Sequence, residues 1–357
     1  MPLNEEKLGA VKSSLLQVYS GSVALVNLGI GIQLGLFDAL AAGGGLTASE
    51  LAKKTSTNQR YIEDWLVNQT LNDFVTREGA DGPAGTGTYS LSEEQKVCIA
   101  TDGGPHDMAG GALSVMGVAN QVESIIDNFR TGGGLAWPDQ HKFVHSGARR
   151  FFAPIYRHLL AQHIIPSLDG VEEKLKAGVR VVDVGCGQGE STMAMGAAYP
   201  KSTIVGVDYH AGSIEVAKEK NSLPNVSFTS ENATTVTNED GKFDLVCVFD
   251  CFHDMSDPVG AAKNFKNLLN DSGSVFLIEP MAGETIGAND NIVGRIYSGF
   301  SSTCCLQCAK AGDGGAELGT IAPSSRIEAV FKEAGYAKFN PVSVPQAAFN
   351  RVFQVQV

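Results

Sequence analysis

The stretch VRVVDVGCGQGEST, residues 179–192, sets an apolar run containing Asp183 directly before Gly185, Gly187 and Gly189. Such a run, then glycines, then a helix-compatible segment predicts a strand, a tight loop and a helix, with the loop at the strand end where open α/β sheets take their ligands. Glycines there remove side chains that would hold a ligand away from the backbone. Three ligand classes compete for the loop. A dinucleotide fingerprint, G-x-G-x-x-G, fails at its sixth position, counted from Gly185, where Glu190 stands. A phosphate loop needs lysine followed by Ser or Thr, but the chain reads Gln188, Gly189, Glu190, Ser191. A carboxylate at the mouth of a phosphate cradle also repels the group it should hold.

Asp183 precedes the first glycine by two residues, where its carboxylate can accept hydrogen bonds from a cationic ligand or from the loop. Asp208, in GVDYH, ends the next predicted strand 23 residues after Gly185, a position suited to both hydroxyls of a ribose. The residues therefore describe a ligand with a ribose, a close backbone neighbour and little need for phosphate recognition.

In these features the chain resembles the class I S-adenosylmethionine-dependent methyltransferases, whose motif E/D-x-G-x-G-x-G is written DVGCGQG at 183–189. The resemblance covers roughly residues 175–280. It implies that Asp183, Gly185, Cys186, Gly187 and Gly189 surround the methionine part of the cofactor and that Asp208 holds the ribose. It further implies that Tyr209 lies against adenine, Asn232 and Ala233 line its far side, and Phe249 and Asp250 complete the cofactor site. Many members carry Asp where this chain has Asn232. The implied cofactor is S-adenosyl-L-methionine, with S-adenosyl-L-homocysteine as product.

Outward from this loop, VRVVDVG, STIVGVDY, VSFTS, FDLVCVFD, SVFLIEP and RVFQVQV read as strands separated by helical lengths. The expected fold class is α/β, a Rossmann-like, seven-stranded and mostly parallel sheet over residues 176–357, with its last strands near 335–357 and a substrate-cover insertion near 285–325. Residues 101–175 read as a helical bridge, in which Pro138, Pro154 and Pro166 limit helix length. Residues 1–100 read as a helical, winged-helix-like domain. Apolar side chains recur at helical spacing from 11 to 42, through Leu15, Val18, Val23, Val26, Ile30, Leu34 and Leu40. Two short helices follow, the first capped by Thr47 and Glu50, the second burying Ile62, Leu66 and Leu71, and then a glycine-rich hairpin.

A winged helix suggests a DNA reader, but residues 1–100 hold seven Lys or Arg against eleven Asp or Glu, and the candidate recognition helix sets Glu63 and Asp64 beside Arg60. Major-groove helices need donors to phosphates and base edges. Dimerisation or substrate covering fits the acidic balance better, as in the small-molecule methyltransferases that carry such a domain. The formal charge of -12 over 357 residues likewise argues against nonspecific nucleic-acid binding.

Transfer from a sulfonium is an in-line displacement, which asks the protein for alignment and exclusion of water, and for a base where the nucleophile arrives protonated. After the fourth strand, FDCFHDMSDP supplies Asp250, His253 and Asp254. His253 is the candidate base and Asp250 the second catalytic candidate. Glu279, at the end of LIEP, is a candidate for a cationic substrate group or for a bond to the backbone; Tyr297 and Phe300 from the cover, and Tyr156 and His145 from the bridge, are candidate substrate walls.

The seven cysteines do not make a disulfide framework, and Cys304, Cys305 and Cys308 lack a second nearby Cys/His pair, so no metal is expected and they read as small packed residues. With no run of 18 uninterrupted apolar residues and no basic-then-apolar amino terminus, the expected location is cytoplasmic, without membrane or nucleic-acid partners. The leading function is methyl transfer to a small-molecule acceptor, with a homodimer expected. An NAD-dependent oxidoreductase, and a noncatalytic SAM-responsive or DNA-binding regulator, stand as alternatives.

Overall fold

The computed structural model describes residues 3–237 and 241–357. It divides into two compact units, one formed by the chain up to Gly117 together with Lys142–Phe151, the other by Val118–His141 and Phe152–Val357. The stretch read as a bridge is thus shared between them.

The first unit opens with helix α1 (Glu5–Gln33), whose Asn4 side chain accepts from the Lys7 N–H as N-cap. The helical spacing over 11–42 is broken at Gly35, in the left-handed region at φ 65°, before α2 (Leu36–Ala41). Thr47 and Glu50 form the expected capping box at α3 (Ala48–Lys54), and Asn58 caps α4 (Gln59–Leu71). The hairpin is β1 (Thr76–Glu78) against β2 (Thr88–Ser90), and Leu46 bridges to Tyr89. Phe37, Leu51, Ile62, Trp65, Leu66 and Tyr89 make the core of this winged helix. Leu71 departs from expectation: it is 78% exposed at the helix end, and Trp65, six residues earlier, fills the core instead, its indole N–H donating to the Asn27 carbonyl.

Most of α1 is not covered by its own unit. Leu15, Leu16, Val18, Tyr19, Val23, Val26 and Ile30 are exposed. By length and composition alone this helix, with a mean hydropathy of 1.5 over its most apolar window, is long enough to cross a membrane.

The second unit is built on seven strands, β3 (Arg180–Val184), β4 (Thr203–Val207), β5 (Val226–Thr229), β6 (Phe243–Phe249), β7 (Leu269–Pro280), β8 (Lys338–Val342) and β9 (Asn350–Gln356), in the order β5-β4-β3-β6-β7-β9-β8. All neighbours are parallel except β9, which runs antiparallel to β7 and β8. Burial runs almost unbroken along β3 and β6 rather than alternating, because helices cover both faces of the sheet. Val181, Ile204 and Leu245 pack on one face with Leu175 and Ile214; Val182, Val246 and Val248 pack on the other with Phe265 and Phe331. Each such large side chain contributes roughly 1.5–3 kcal/mol on burial.

Chain order reverses direction across the sheet at β3, which pairs with β4 on one side and β6 on the other. Loops leaving the carboxyl ends of β3 and β6 therefore diverge and open a crevice, the usual ligand position in such sheets. Pro154 does not end its helix as expected: Lys142–His158 runs through it, forfeiting one backbone hydrogen bond at most, since proline lacks the N–H.

Candidate functional site

The loop after β3 is held from both sides. Gly185 and Cys186 each donate a backbone N–H to the Val207 carbonyl at the end of β4 (2.7 and 3.1 Å), and Gly187 donates to Asp208 Oδ2 (2.8 Å). The glycines have different reasons to be glycine. A side chain on Gly189 would strike the Phe228 ring at 2.6 Å, so this position keeps the loop against the sheet. Gly187, at φ 53°, meets nothing within 4 Å, so its missing side chain leaves open space beside exposed backbone.

Asp183 is 1% exposed, and its Oδ2 accepts from the hydroxyls of Ser191 and Thr192, both at 2.6 Å. Its other oxygen, Oδ1, is buried without a hydrogen-bond partner among the described residues. Burial raises the Asp183 pKa to about 6 against the lowering effect of the two hydroxyls. An unpartnered buried carboxylate oxygen is costly unless something supplies a donor, and a ligand ammonium is such a donor. Ser191 and Thr192 were not singled out in the sequence, although their place in the first turn after the loop is the signal that would have found them. Asp208 Oδ1 also accepts from the His210 N–H (2.8 Å), and an ionised carboxylate is an acceptor of the kind ribose hydroxyls need. The donor set suits an adenosyl cation with an amino-acid tail.

Tyr209 is half exposed beyond Asp208, and its hydroxyl accepts from the Trp137 N–H (3.1 Å). Asn232 is exposed, and its side-chain oxygen is used by the Thr234 N–H and hydroxyl (2.9 and 2.8 Å), so only its amide group remains for an adenine edge. The Ala233 carbonyl accepts from Asn264 (3.0 Å). Phe249 is core, stacked on Tyr156 at 6.0 Å and edge-on to Phe276 at 4.7 Å.

The loop after β6 carries the second cluster. Asp250 sits at φ 51°, a left-handed conformation uncommon outside glycine and suggestive of a functional constraint. The Tyr156 hydroxyl donates to its Oδ2 (2.7 Å) and the Asn350 amide to its Oδ1 (2.5 Å). Burial raises its pKa to about 7, opposed by the Tyr156 hydrogen bond. Asn350, at the start of β9, is a contact the sequence gave no local signal for.

His253 is 3% exposed and Glu279 0%. Glu279 Oε1 accepts from the Phe252 N–H (3.1 Å), and its Oε2 lies 2.9 Å from His253 Nδ1. On its other side His253 Nε2 is 3.3 Å from Asp254 Oδ1. Burial works against the imidazolium, but the Glu279 and Asp254 carboxylates outweigh it and hold the His253 pKa well above its ordinary value. Burial raises Asp254 to about 6. Of the two partners expected for Glu279, a cationic substrate group or the backbone, the Phe252 N–H is the second, and its other oxygen faces His253.

Tyr297 is 4% exposed, and its hydroxyl is buried with no hydrogen-bond partner among the described residues; the charge of Asp250 reaches it. Phe300 is half-buried one turn along the same helix, Ile292–Phe300. The insertion continues into a π-helical turn, Ser301–Cys305, and ties to the 131–140 stretch where the Leu135 N–H donates to the Gln307 carbonyl (2.9 Å). His145 belongs to the other unit. Among the rest, the Cys251 thiol links the two clusters: burial pushes its pKa well up, and the charges of Glu279, Asp208, Asp183 and Asp254 all reach it.

Residues 175–331 match a methyltransferase domain family, and residues 21–101 match the Rv2258c-like winged HTH domain. The demethylmenaquinone methyltransferase of Staphylococcus aureus (strain JH9) is 31% identical over 107 residues, which are 29% of this chain and 44% of that protein. The chain thus spans less than half the length of the curated relatives it matches. Human N-acetylserotonin methyltransferase, solved in complex with SAM, superposes with a TM-score of 0.74 at 15% identity, covering 97% of both chains. An O-methyltransferase family protein of Burkholderia thailandensis gives 0.65 at 16% identity, over 100% of this chain and 98% of that one. These superpositions give the fold, and the family match covers the loop and acids described above. Residues 175–331 are thus a methyltransferase domain, with a winged HTH domain at residues 21–101 ahead of it.

Proposed function

We propose that this protein transfers a methyl group from S-adenosylmethionine to a hydroxyl of a small-molecule acceptor, with His253 as base and Glu279 as its positioning residue. The reading is carried by one juxtaposition: a phosphate-free nucleoside cradle at the end of β3 and a buried histidine–carboxylate pair after the adjacent β6. The sulfonium supplies an activated methyl group. Asp183 Oδ1 receives the ammonium of the methionine part, Gly187 lets backbone approach, and Asp208 accepts from the ribose hydroxyls. Tyr209, Asn232 and Ala233 border adenine. Tyr156, Tyr297 and Phe300 wall the acceptor, and Asp250 fixes the Tyr156 hydroxyl.

His253 takes the acceptor's hydroxyl proton on Nε2 as the oxygen–methyl bond forms and the sulfur–methyl bond breaks, leaving neutral S-adenosylhomocysteine. Glu279 stabilises the resulting imidazolium through Nδ1. A dehydrogenase has no use for a cradle lacking the dinucleotide spacing.

The amino-terminal unit is a dimerisation element rather than a DNA reader. The exposed row on α1 from Leu15 to Ile30 is apolar, and no charged residue interrupts the helix from Ser13 to Gln33, which suits a second copy of the same helix. In α4, Arg60 is spent on Asp64 at 2.6 Å, which leaves little for phosphates. The protein is a cytoplasmic homodimer without membrane or nucleic-acid partners. Incubating it with labelled methyl donor and a panel of hydroxylated metabolites tests the function. Label in a small methyl ether, absent with His253→Ala, supports it; label only in protein or nucleic acid overturns it.

A further inference from the structure

Three thiols cluster on the cover, and one of them reaches the histidine. The π turn Ser301–Cys305 and the helix Leu306–Ala309 bury Cys304, Cys305 and Cys308. The sequence offers them no nearby ligand pair, but the fold brings one from fifty residues upstream. His253, Asp254 and Cys305 present one donor atom each within 4.8 Å of one another.

We propose that His253 Nε2, an Asp254 carboxylate oxygen and Cys305 Sγ form a zinc(II) site. The nitrogen, oxygen and sulfur donors match what zinc takes, and three protein ligands leave a fourth position open. Two further observations point to a cation. First, Asp254 Oδ1 is buried and, apart from the His253 Nε2 that faces it at 3.3 Å, has no partner for hydrogen bonding among the described residues. Second, His253 Nδ1 is already committed to Glu279 at 2.9 Å, which directs Nε2 toward Asp254. A carboxylate on the far nitrogen is the usual support of a metal-bound histidine, fixing the ring's orientation and raising its basicity. With the proton on Nδ1, two electron-pair donors face each other across 3.3 Å, and a cation between them satisfies both. Zinc binding releases the Cys305 thiol proton, with any proton on Nε2, to solvent.

The consequence for the reaction rests on the function proposed above. Zinc occupies the lone pair with which His253 takes the acceptor's proton, so metal and turnover exclude one another. The site is an inhibitory one, placed where a soft divalent cation silences the base.

The test uses the full chain, stripped with chelator and then freed of it. Cobalt(II) is added first as a spectroscopic stand-in, then zinc displaces it, while S-adenosylhomocysteine binding and thermal melting are followed in parallel. The expected result is one equivalent of cobalt with sulfur-to-cobalt charge-transfer absorption, displaced by zinc. Cys305→Ala loses that absorption, and both Cys305→Ala and Asp254→Asn weaken zinc binding by at least about tenfold. Cys98→Ala, a thiol of the other unit, leaves the titration unchanged. Zinc inhibits methyl transfer and chelator restores it. No metal uptake by a protein that still binds S-adenosylhomocysteine overturns this inference alone, as does unweakened zinc binding in both variants. Zinc uptake with no S-adenosylhomocysteine binding upholds the site and overturns the methyltransferase reading.

Discussion

Glu279 Oε2 and His253 Nδ1 stand 2.9 Å apart in a site from which both side chains are almost wholly excluded from water. β7 carries the carboxylate to the end of the sheet and the loop after β6 carries the ring, so two neighbouring strands assemble the pair. His253→Ala is expected to reduce kcat by about 10²–10⁴-fold, the range of a general base, with S-adenosylhomocysteine affinity unchanged. Glu279→Gln should lower kcat with little change in the cofactor's KM. Single-turnover rates and calorimetry read both.

The same pair sets a pH dependence. Because Glu279 and Asp254 hold the His253 pKa above its ordinary 6.5, neutral imidazole, the form that accepts a proton, accumulates only above that pH. The expected kcat/KM rises with pH, with a midpoint above 6.5. Asp254→Asn removes one of the two raising charges and should move that midpoint down. A midpoint unmoved by the substitution contradicts the assignment.

Asp183 gives a second dependence, of opposite consequence for folding and for binding. Its pKa is raised to about 6 from 3.8, so the folded protein binds more protons than the unfolded chain between those values. Its contribution to stability is therefore fully present below about 3.8 and is lost as pH rises through about 6. Ligand binding goes the other way, because the ammonium needs the ionised carboxylate: S-adenosylhomocysteine affinity should fall about tenfold from pH 7 to pH 5. Calorimetry across that range measures it, and Asp183→Asn should flatten it.

Two glycine substitutions separate fold from cradle. Gly189→Ala drives a methyl to 2.6 Å from Phe228 and should lower Tm by several degrees. Gly187→Ala meets open space, so its cost to the fold is only the left-handed strain of about 1 kcal/mol, while the new methyl intrudes on the ligand. Equal losses of stability in the two would contradict the different roles.

Charge on the exposed row of α1 tests the amino-terminal unit. Val23→Glu changes a residue 58% exposed, so a monomer should fold unharmed and a dimer joined there should dissociate. Light scattering distinguishes the two.

The sheet, the glycine loop and the winged helix were legible in the sequence because each follows a local rule: apolar runs, residue spacing, a Thr47–Glu50 capping box. Leu71 and Pro154 were misjudged because position, not residue type, decided: a helix end exposes what its interior would bury, and a helix tolerates proline when the flanking packing holds. For Glu279 the bond to backbone was legible but its pairing with His253 was not, since strand-end placement shows which crevice a residue approaches and not that His253 stands in front of it. Asn350 and the Cys305 contact arise from pairings across 100 and about 50 residues, which no local pattern records.

The account rests on Asp208 and the loop it braces holding an adenosyl ligand. Calorimetric titration of the purified protein with S-adenosylhomocysteine, beside Asp208→Ala, tests this most directly. The expected result is one site per chain, weakened at least about tenfold by the substitution through loss of charge-assisted hydrogen bonds, with no heat from NADH. Absent binding in the unaltered protein, or equal affinity in the variant, would contradict it.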